Sequence, residues 1–309
     1  MSLRLGTRGS ALALAQANAV ADALRRRSGE AVELVEIVTA GDRSSAPIQR
    51  LGVGVFVSAL RDALAAKEVD FAVHSYKDLP TAPADGLVVA AVPLREDPRD
   101  ALVARGGRAL AELPDGARIG TGALRRIAQL LALGRGLSCV PVRGNVDTRL
   151  RKVADGELDA VVLARAGLAR LGRTHEITET LDPLVMLPAP AQGALAVECR
   201  ADDGGLLDLL AALDDPDTRA AVTAERALLA DLAAGCSAPV AALAEVAEGD
   251  QGPEIYLRGA VYSPDGQHAV RLSRTGTPAN AEQIGRLLAA DLRDEGADTV
   301  LERTNDPHP

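Results

Sequence analysis

The sequence predicts an α/β fold in which two similar domains face each other around a hinged cleft and a smaller α+β domain follows. Three observations carry this. Short apolar runs alternate with stretches of helical period, the pattern of βαβ units and a mostly parallel sheet. A strand–Gly–Thr–helix opening recurs downstream in the same order as its neighbours. Two connections rich in proline and polar residues, Pro93 to Arg99 and Leu187 to Gln192, divide the chain. They set expected boundaries at 1–93 with 194–211 for the first α/β domain, 99–187 for the second, and 216–309 for the α+β domain.

Taken in order, Leu3 to Gly6 reads as a short apolar strand and Thr7-Arg8-Gly9-Ser10 as a turn. Ala11 to Arg27 is a helix, with Leu12, Ala15, Val20 and Leu24 near helical spacing and Ser28-Gly29 as its stop. Val32 to Val38 is the next strand, followed by an irregular stretch from Gly41-Asp42 through Gly54. A helix over Val57 to Lys67 leads into a buried strand, Val69 to Val73. Arg118-Ile119-Gly120-Thr121 echoes Arg4-Leu5-Gly6-Thr7, and Gln129 sits behind it as Gln16 does behind the first. Residues 157–162 echo 68–73. Past the second connection, a strand over Ala194 to Glu198 and a helix over Leu206 to Leu213 return to the first domain. From Thr218 a helix runs to about Leu232, then a loop with Cys236, strands near 240–246, 254–261 and 270–275, and a helix over Asn280 to Glu295.

Composition narrows the function. Of 309 residues 47% are apolar and 25% charged, the balance of a globular protein with a real core. The net charge is 34 − 43 = −9, aromatic residues are 2% and Trp is absent, so a nucleic-acid partner is excluded on field and on stacking alike. The longest uncharged run, Pro183 to Val197, holds 15 residues and three prolines, short of the ~20 that span a bilayer. No basic segment precedes an apolar stretch at the start, so no membrane association and a cytoplasmic location are expected. Cys139, Cys199 and Cys236 form no CxxC pair and the four histidines do not cluster with them, which argues against disulfides and a metal site. Only Lys67, Lys77 and Lys152 among 34 basic residues are lysine; base composition of the gene or a need for forked donors to carboxylate or phosphate would both produce that bias.

Candidate chemistry sits at strand ends. Helical amides after each Gly-Thr turn lack intrahelical partners and face an anion with the positive end of the dipole. Arg8 and Ser10 flank the first turn, Arg125 and Arg126 follow the second, and Arg143 to Arg149 form a third such stretch before a helix. Each alone also fits a loop with a solvated arginine; together they describe a site for several carboxylates or phosphates. His74 to Pro80 follows a strand, where active-site groups collect in such folds. There Asp78 is either a general acid–base or a stabiliser of a developing cation, and Lys77 either an anion anchor or a Schiff-base amine. An exposed Lys–Asp loop pair is the plainer alternative. Cys236 lies in a loop that suits an accessible thiol, whereas Cys139 and Cys199 sit in apolar strands.

The motifs as a set resemble the porphobilinogen deaminase family. They are Gly-Thr-Arg at 6–8, His-Ser-Tyr-Lys-Asp-Leu-Pro at 74–80, Arg-Glu-Asp-Pro-Arg-Asp-Ala at 95–101 and Gly-Thr-Gly-Ala-Leu-Arg-Arg at 120–126. Arg-Gly-Asn-Val-Asp-Thr-Arg-Leu at 143–150, Leu-Pro-Ala-Pro-Ala-Gln-Gly-Ala at 187–194 and Thr-Ala-Glu-Arg-Ala at 223–227 leading to Gly235-Cys236 complete them. The resemblance implies a cytoplasmic, monomeric transferase of haem biosynthesis. Such an enzyme joins four porphobilinogen molecules head to tail with loss of ammonia, giving the linear tetrapyrrole hydroxymethylbilane. It implies a dipyrromethane primer held by a thioether, by position on Cys236, and a catalytic aspartate at Asp78. Arg8, Ser10, Lys77, Arg125, Arg126, Arg143, Arg149 and Arg170 match residues that bind acetate and propionate arms; Gln16, Thr121 and Gln192 match neighbouring polar contacts. Three positions depart from the family pattern: no lysine precedes Phe56 in Gly52-Val53-Gly54-Val55, Gly122-Ala123 replaces a Ser-Ser pair, and Ala234 replaces a glycine.

Two other functions compete. Hinged periplasmic-binding-protein-like lobes also serve solute-binding and ligand-sensing proteins, but those explain neither Cys236 nor Asp78. A Schiff-base enzyme would use Lys77.

Overall fold

The computed structural model describes residues 2–38, 57–233, 238–250 and 252–302. The irregular stretch expected through Gly54, with Phe56, and the loop bearing Ala234, Gly235 and Cys236 lie outside them. The chain divides into two units, Met1–Glu96 with Ala194–Arg219, and Asp97–Gly193 with Ala220–Pro309.

The first unit contains β1 (Leu3–Thr7), α1 (Ala11–Ser28), β2 (Val32–Glu36), α2 (Ser58–Ala65), β3 (Phe71–Ser75) and β4 (Leu87–Ala91). Helix α1 forms where Ser10, in an extended conformation, accepts the Ala13 N–H at 3.2 Å, and it stops at Gly29, which takes φ +75°. Its inner face buries Ala17, Val20, Ala21 and Leu24 against Leu5, Phe71 and Val73. The strand expected over Val69 to Val73 is shifted. Asp70 accepts the Arg4 backbone N–H at 2.7 Å and pairs with its guanidinium, so regular register with β1 starts only at Leu5↔Phe71. His74 and Ser75 therefore lie inside β3. After the chain returns, β10 (Leu195–Arg200) and α6 (Gly204–Ala211) join this unit, and the sheet order is β2-β1-β3-β10-β4. β10 runs antiparallel to both neighbours, the one reversal in a sheet expected to be mostly parallel.

The second unit opens on β5 (Asp100–Ala104), followed by β6 (Arg118–Gly120), α3 (Leu124–Ala132), β7 (Ser138–Val140) and α4 (Val146–Ala154). β8 (Ala160–Ala164), α5 (Arg165–Arg170) and the short β9 (Glu179–Thr180) complete its first sheet, ordered β7-β6-β8-β5-β9. β6 pairs parallel with β7 and β8, while β5 is antiparallel to β8 and β9. The two five-stranded sheets thus share one order and one reversed position. In each, the reversed strand is the first one the chain forms after crossing from the other unit. The sequence echo is this duplication: Gly6 and Gly120 sit in β1 and β6, the equivalent strands. At Gly120 the backbone packs so close that a Cβ would meet Leu158 Cδ1 at 2.6 Å. These are the two similar α/β folds expected.

Helix α7 (Pro216–Asp231) leads to a separate antiparallel sheet of β11 (Val240–Gly249), β12 (Gly252–Tyr262) and β13 (Ala269–Gly276). One face of that sheet buries Ala242, Ala244, Ile255 and Leu257 under α7, α8 (Ala281–Asp294) and α9 (Ala297–Glu302). α7 and α8 cross nearly backbone to backbone at Gly285, where a Cβ would press on Ala224 O and come within 2.9 Å of Leu228 N. Main-chain atoms cannot yield as a side-chain tip does. Gly285→Ala is therefore expected to destabilise the protein by about 1–3 kcal/mol, read as a lower urea midpoint.

Candidate active site

In the first unit the site residues cluster at the carboxyl ends of β1 and β3. Thr7 is buried and its Oγ1 donates to Ala13 O at 3.2 Å, which fixes the turn carrying Arg8 against the first turn of α1. Ser10 spends its oxygen as the helix cap. Gln16, expected as a polar contact, is buried, and its Nε2 donates to Ser75 Oγ at 2.8 Å, tying α1 to the end of β3. The chain then tightens into a 3₁₀ turn, Tyr76–Asp78, anchored by Tyr76 N–H on Ala194 O at 3.0 Å and by the buried Leu79. This arrangement leaves Asp78 exposed and Lys77 half-buried.

Beneath that turn lies a buried ion cluster. Arg61 grips Glu198 through Nη2 at 2.8 Å and Nε at 3.1 Å, and His74 Nε2 lies 3.1 Å from the other carboxylate oxygen. Burial raises the Glu198 pKa, but hydrogen bonds and charge from His74 and Arg61 outweigh it and hold the group below its ordinary value.

The second unit gathers the arginines. Thr121, at the end of β6, is fully buried; its backbone N–H bonds Val140 O and its Oγ1 accepts the Ala123 N–H at 3.3 Å. Ala123 starts α3 with no side-chain cap, the consequence of Gly122-Ala123 in place of hydroxyl residues. Arg125 and Arg126 both turn inward, 4% and 5% exposed, onto Asp100, which has no exposure at all. Arg125 Nη1 reaches Asp100 Oδ2 at 2.7 Å and Arg126 Nη2 reaches Oδ1 at 2.7 Å. Leu187 O and Val162 O accept further guanidinium N–H groups at 3.0 Å. Gln192 is also fully buried: Nε2 donates to Pro98 O and to Asp100 Oδ1, and Oε1 accepts from Arg125. Both ends of a side chain expected beside substrate are thus engaged inside the protein. Burial raises the Asp100 pKa, but the two guanidinium charges overwhelm it and hold the carboxyl far below the usual range.

Arg143 and Arg149 come from the third predicted stretch. Asn145 caps α4 by accepting the Thr148 N–H at 2.9 Å, and Gly144 takes φ +96°. Arg149 Nε donates to Gly144 O at 2.9 Å, while its Nη nitrogens have no partner among the described residues. Burial first, then the charges of Arg126 and Arg143, pull the Arg149 pKa below that of an ordinary arginine. Cations are therefore gathered where water is scarce, and an incoming carboxylate gains charge-assisted hydrogen bonds there. Arg170 is set in the same unit by Nη2 donating to Gly193 O at 2.6 Å. A dipyrromethane with acidic arms on each ring fits this donor set.

Three carboxylates at the site went unread in the sequence. Asp100 sits within the Arg-Glu-Asp-Pro-Arg-Asp-Ala motif, and its signal was an acid opening the otherwise apolar Ala-Leu-Val-Ala strand. Glu198 likewise interrupts the apolar β10. Glu225, fully buried on α7, accepts the Ala191 N–H at 2.5 Å and the Ala244 N–H at 2.7 Å, and so holds the residue next to Gln192. Of the cysteines, Cys139 is half-buried and Cys199 fully buried. Burial pushes the Cys139 thiol up and the Cys199 thiol to about 11.

Two like-ordered α/β folds each carry arginines near their strand ends, donors of the kind that suits carboxylates. A family model described as "Porphobilinogen deaminase, dipyromethane cofactor binding domain" matches residues 3–208, and "Porphobilinogen deaminase, C-terminal domain" matches 219–294. A porphobilinogen deaminase of Nocardia farcinica is 61% identical over 97% of this chain and 88% of its own length. One of Mycolicibacterium paratuberculosis is 60% identical over 97% and 96%. The chain belongs to the porphobilinogen deaminase family. It is a transferase of porphyrin biosynthesis that uses a dipyrromethane cofactor and condenses pyrroles into a linear tetrapyrrole. Among solved structures, a periplasmic substrate-binding protein of an ABC transporter from Coxiella burnetii is 16% identical, with TM-score 0.44 over 70% of this chain and 94% of its own.

Two measurements follow from these environments. Asp100 and Glu198, with Asp70, Asp97 and Asp159, have native pKa values below their ordinary ones. Each contributes stability that is fully present above about pH 4 and lost as pH falls through the native value. Urea midpoints are therefore expected to decline steeply below about pH 4 while these groups add no slope between pH 5 and 7. With its pKa raised from 9.0 to about 11, Cys199 holds roughly 100-fold less thiolate at pH 7.5. Iodoacetamide should leave it unmodified in the native chain and label it in urea, read by peptide mass spectrometry.

Proposed function

We propose that Cys236 carries the dipyrromethane through a thioether, that Asp78 stabilises the positive charge arising as ammonia leaves porphobilinogen, and that the arginines hold the acidic arms. The observation that carries this reading is the Arg126–Arg143–Arg149 cluster, buried deeply enough to depress an arginine pKa and with Arg149 Nη groups left to donate. When bound, the dipyrromethane supplies the pyrrole at which the chain of rings grows. The residues of this chain do the rest. Arg126, Arg143, Arg149, Arg170, Lys77 and Thr121 bind and orient carboxylates of the cofactor. Arg8 and Ser10 bind those of the substrate, Ser10 through its remaining O–H. Arg125, Gln16 and Gln192, all buried, brace the segments that present these groups.

Asp78 suits its role by placement. It ends a 3₁₀ turn that Leu79, Tyr76 and the Gln16–Ser75 pair hold in one position, so its carboxylate need not reorganise as charge develops. The domain reading of 1–93 with 194–211, 99–187 and 216–309 accords with three separate sheets, each with its own core. The protein works as a cytoplasmic monomer; light scattering on a sizing column is expected to give 31.9 kDa plus the cofactor. No helix among the described residues is long and apolar enough to cross a membrane.

Intact-protein mass spectrometry tests the assignment. The purified chain should exceed its sequence mass by a covalent dipyrrole and redden with an acidic aldehyde reagent. Cys236→Ala should lose both signals, and Cys139→Ala and Cys199→Ala should keep them. Asp78→Asn should load normally yet turn over at least about 100-fold slower; unchanged turnover refutes its role.

A further inference from the structure

We propose that Asp100 is a positioning residue for Arg126, fixing its guanidinium plane before an acidic arm arrives, with Arg125, whose four Nη N–H groups are all spent inside the cluster, as a brace. This rests on the reading of Arg126 as a cofactor ligand. Consecutive arginines on one helix, both buried, repel each other and have no reason to share a place. Asp100 gives them one. Its Oδ2 takes Arg125 Nη1 at 2.7 Å, and its Oδ1 takes Arg125 Nη2 at 3.3 Å, Arg126 Nη2 at 2.7 Å and Arg126 Nε at 3.2 Å. Two backbone carbonyls add to the hold: Leu187 O accepts from Arg125 Nη1 and Val162 O from Arg126 Nη1. Gln192 closes the set by donating to Oδ1 at 2.9 Å and accepting from Arg125 at 3.0 Å.

The stoichiometry is informative. One carboxylate against two guanidinium groups leaves one positive charge in the cluster, so the cluster is organised without being neutralised. Arg126 uses Nε and one N–H on each Nη, and keeps an N–H on both Nη nitrogens. A carboxylate meeting a fork already held in plane loses little rotamer freedom. Asp100 itself has no exposure and so touches neither substrate nor cofactor; it acts through Arg126.

Asp100→Glu keeps the charge and displaces it by one methylene; Asp100→Asn keeps the size and removes the charge. Folding is read by circular dichroism and urea titration, and loading by the mass gained when the apo chain is incubated with porphobilinogen. The folded Asp100→Glu chain is expected to load about 100-fold more slowly than the parent, since a misplacement near 1 Å costs about that factor, and Asp100→Asn at least as slowly. A residue serving only stability would leave loading per folded molecule unchanged, and that result in either folded variant overturns the inference. Arg126→Gln, run in parallel, separates the two readings. If it loads like the parent, the assignment of Arg126 falls; if it fails to load while both Asp100 variants load normally, the role of Asp100 alone falls.

Discussion

A carboxylate sealed from water between two guanidinium groups ties three segments of the second unit together. Three ions inside protein pay a desolvation cost that only near-complete hydrogen bonding offsets. Asp100 therefore fixes where β5 begins, where α3 begins and how residues 187–192 run, because all three supply atoms to the cluster. The same segment is held twice more: Gln129 accepts the Leu187 N–H at 2.8 Å, and Glu225 accepts the Ala191 N–H. Ala191 is kept at φ +60° by these bonds, a conformation a non-glycine residue adopts only when its surroundings impose it. Through Glu225 the network reaches α7.

The first unit repeats the device on the equivalent strand. β10 occupies the reversed position in its sheet as β5 does in the other, and it too buries an acid between basic partners. There Glu198 takes Arg61 and faces His74, one residue before the Ser75 that receives Gln16. Both units thus bury an ion cluster behind a strand end: two guanidinium groups share Asp100 in one, and Asp78 stands exposed beyond the cluster in the other.

Much of the fold was legible because it rests on period and punctuation. Ser10 and Gly29 bracket α1, and the Arg-Ile-Gly-Thr echo marked a real duplication. The reversed strands were not legible, since strand direction depends on long connections rather than on local pattern. β3 was misplaced by two residues because Asp70 bonds back to Arg4, a contact between residues 66 positions apart. Residue types singled out the arginines and Asp78 as candidates, but nothing local separated side chains that stay at the surface from those that turn inward. Gln16, Gln192 and Ser10 have the polarity of ligands and work as braces and a cap. Asp100 was the converse, an acid quoted only as one letter of the 95–101 motif and given no role, and it is wholly interior.

The position of β10 bears on how the chain folds as it is synthesised. The first sheet needs residues 195–200 between β3 and β4, so after some ninety residues have emerged two of its strands still face each other across a gap. All five strands of the next sheet lie between residues 100 and 180, so it is completed earlier although it starts later. The usual N-terminal-first order is inverted, and the early strands must wait with open edges, a state prone to mispairing.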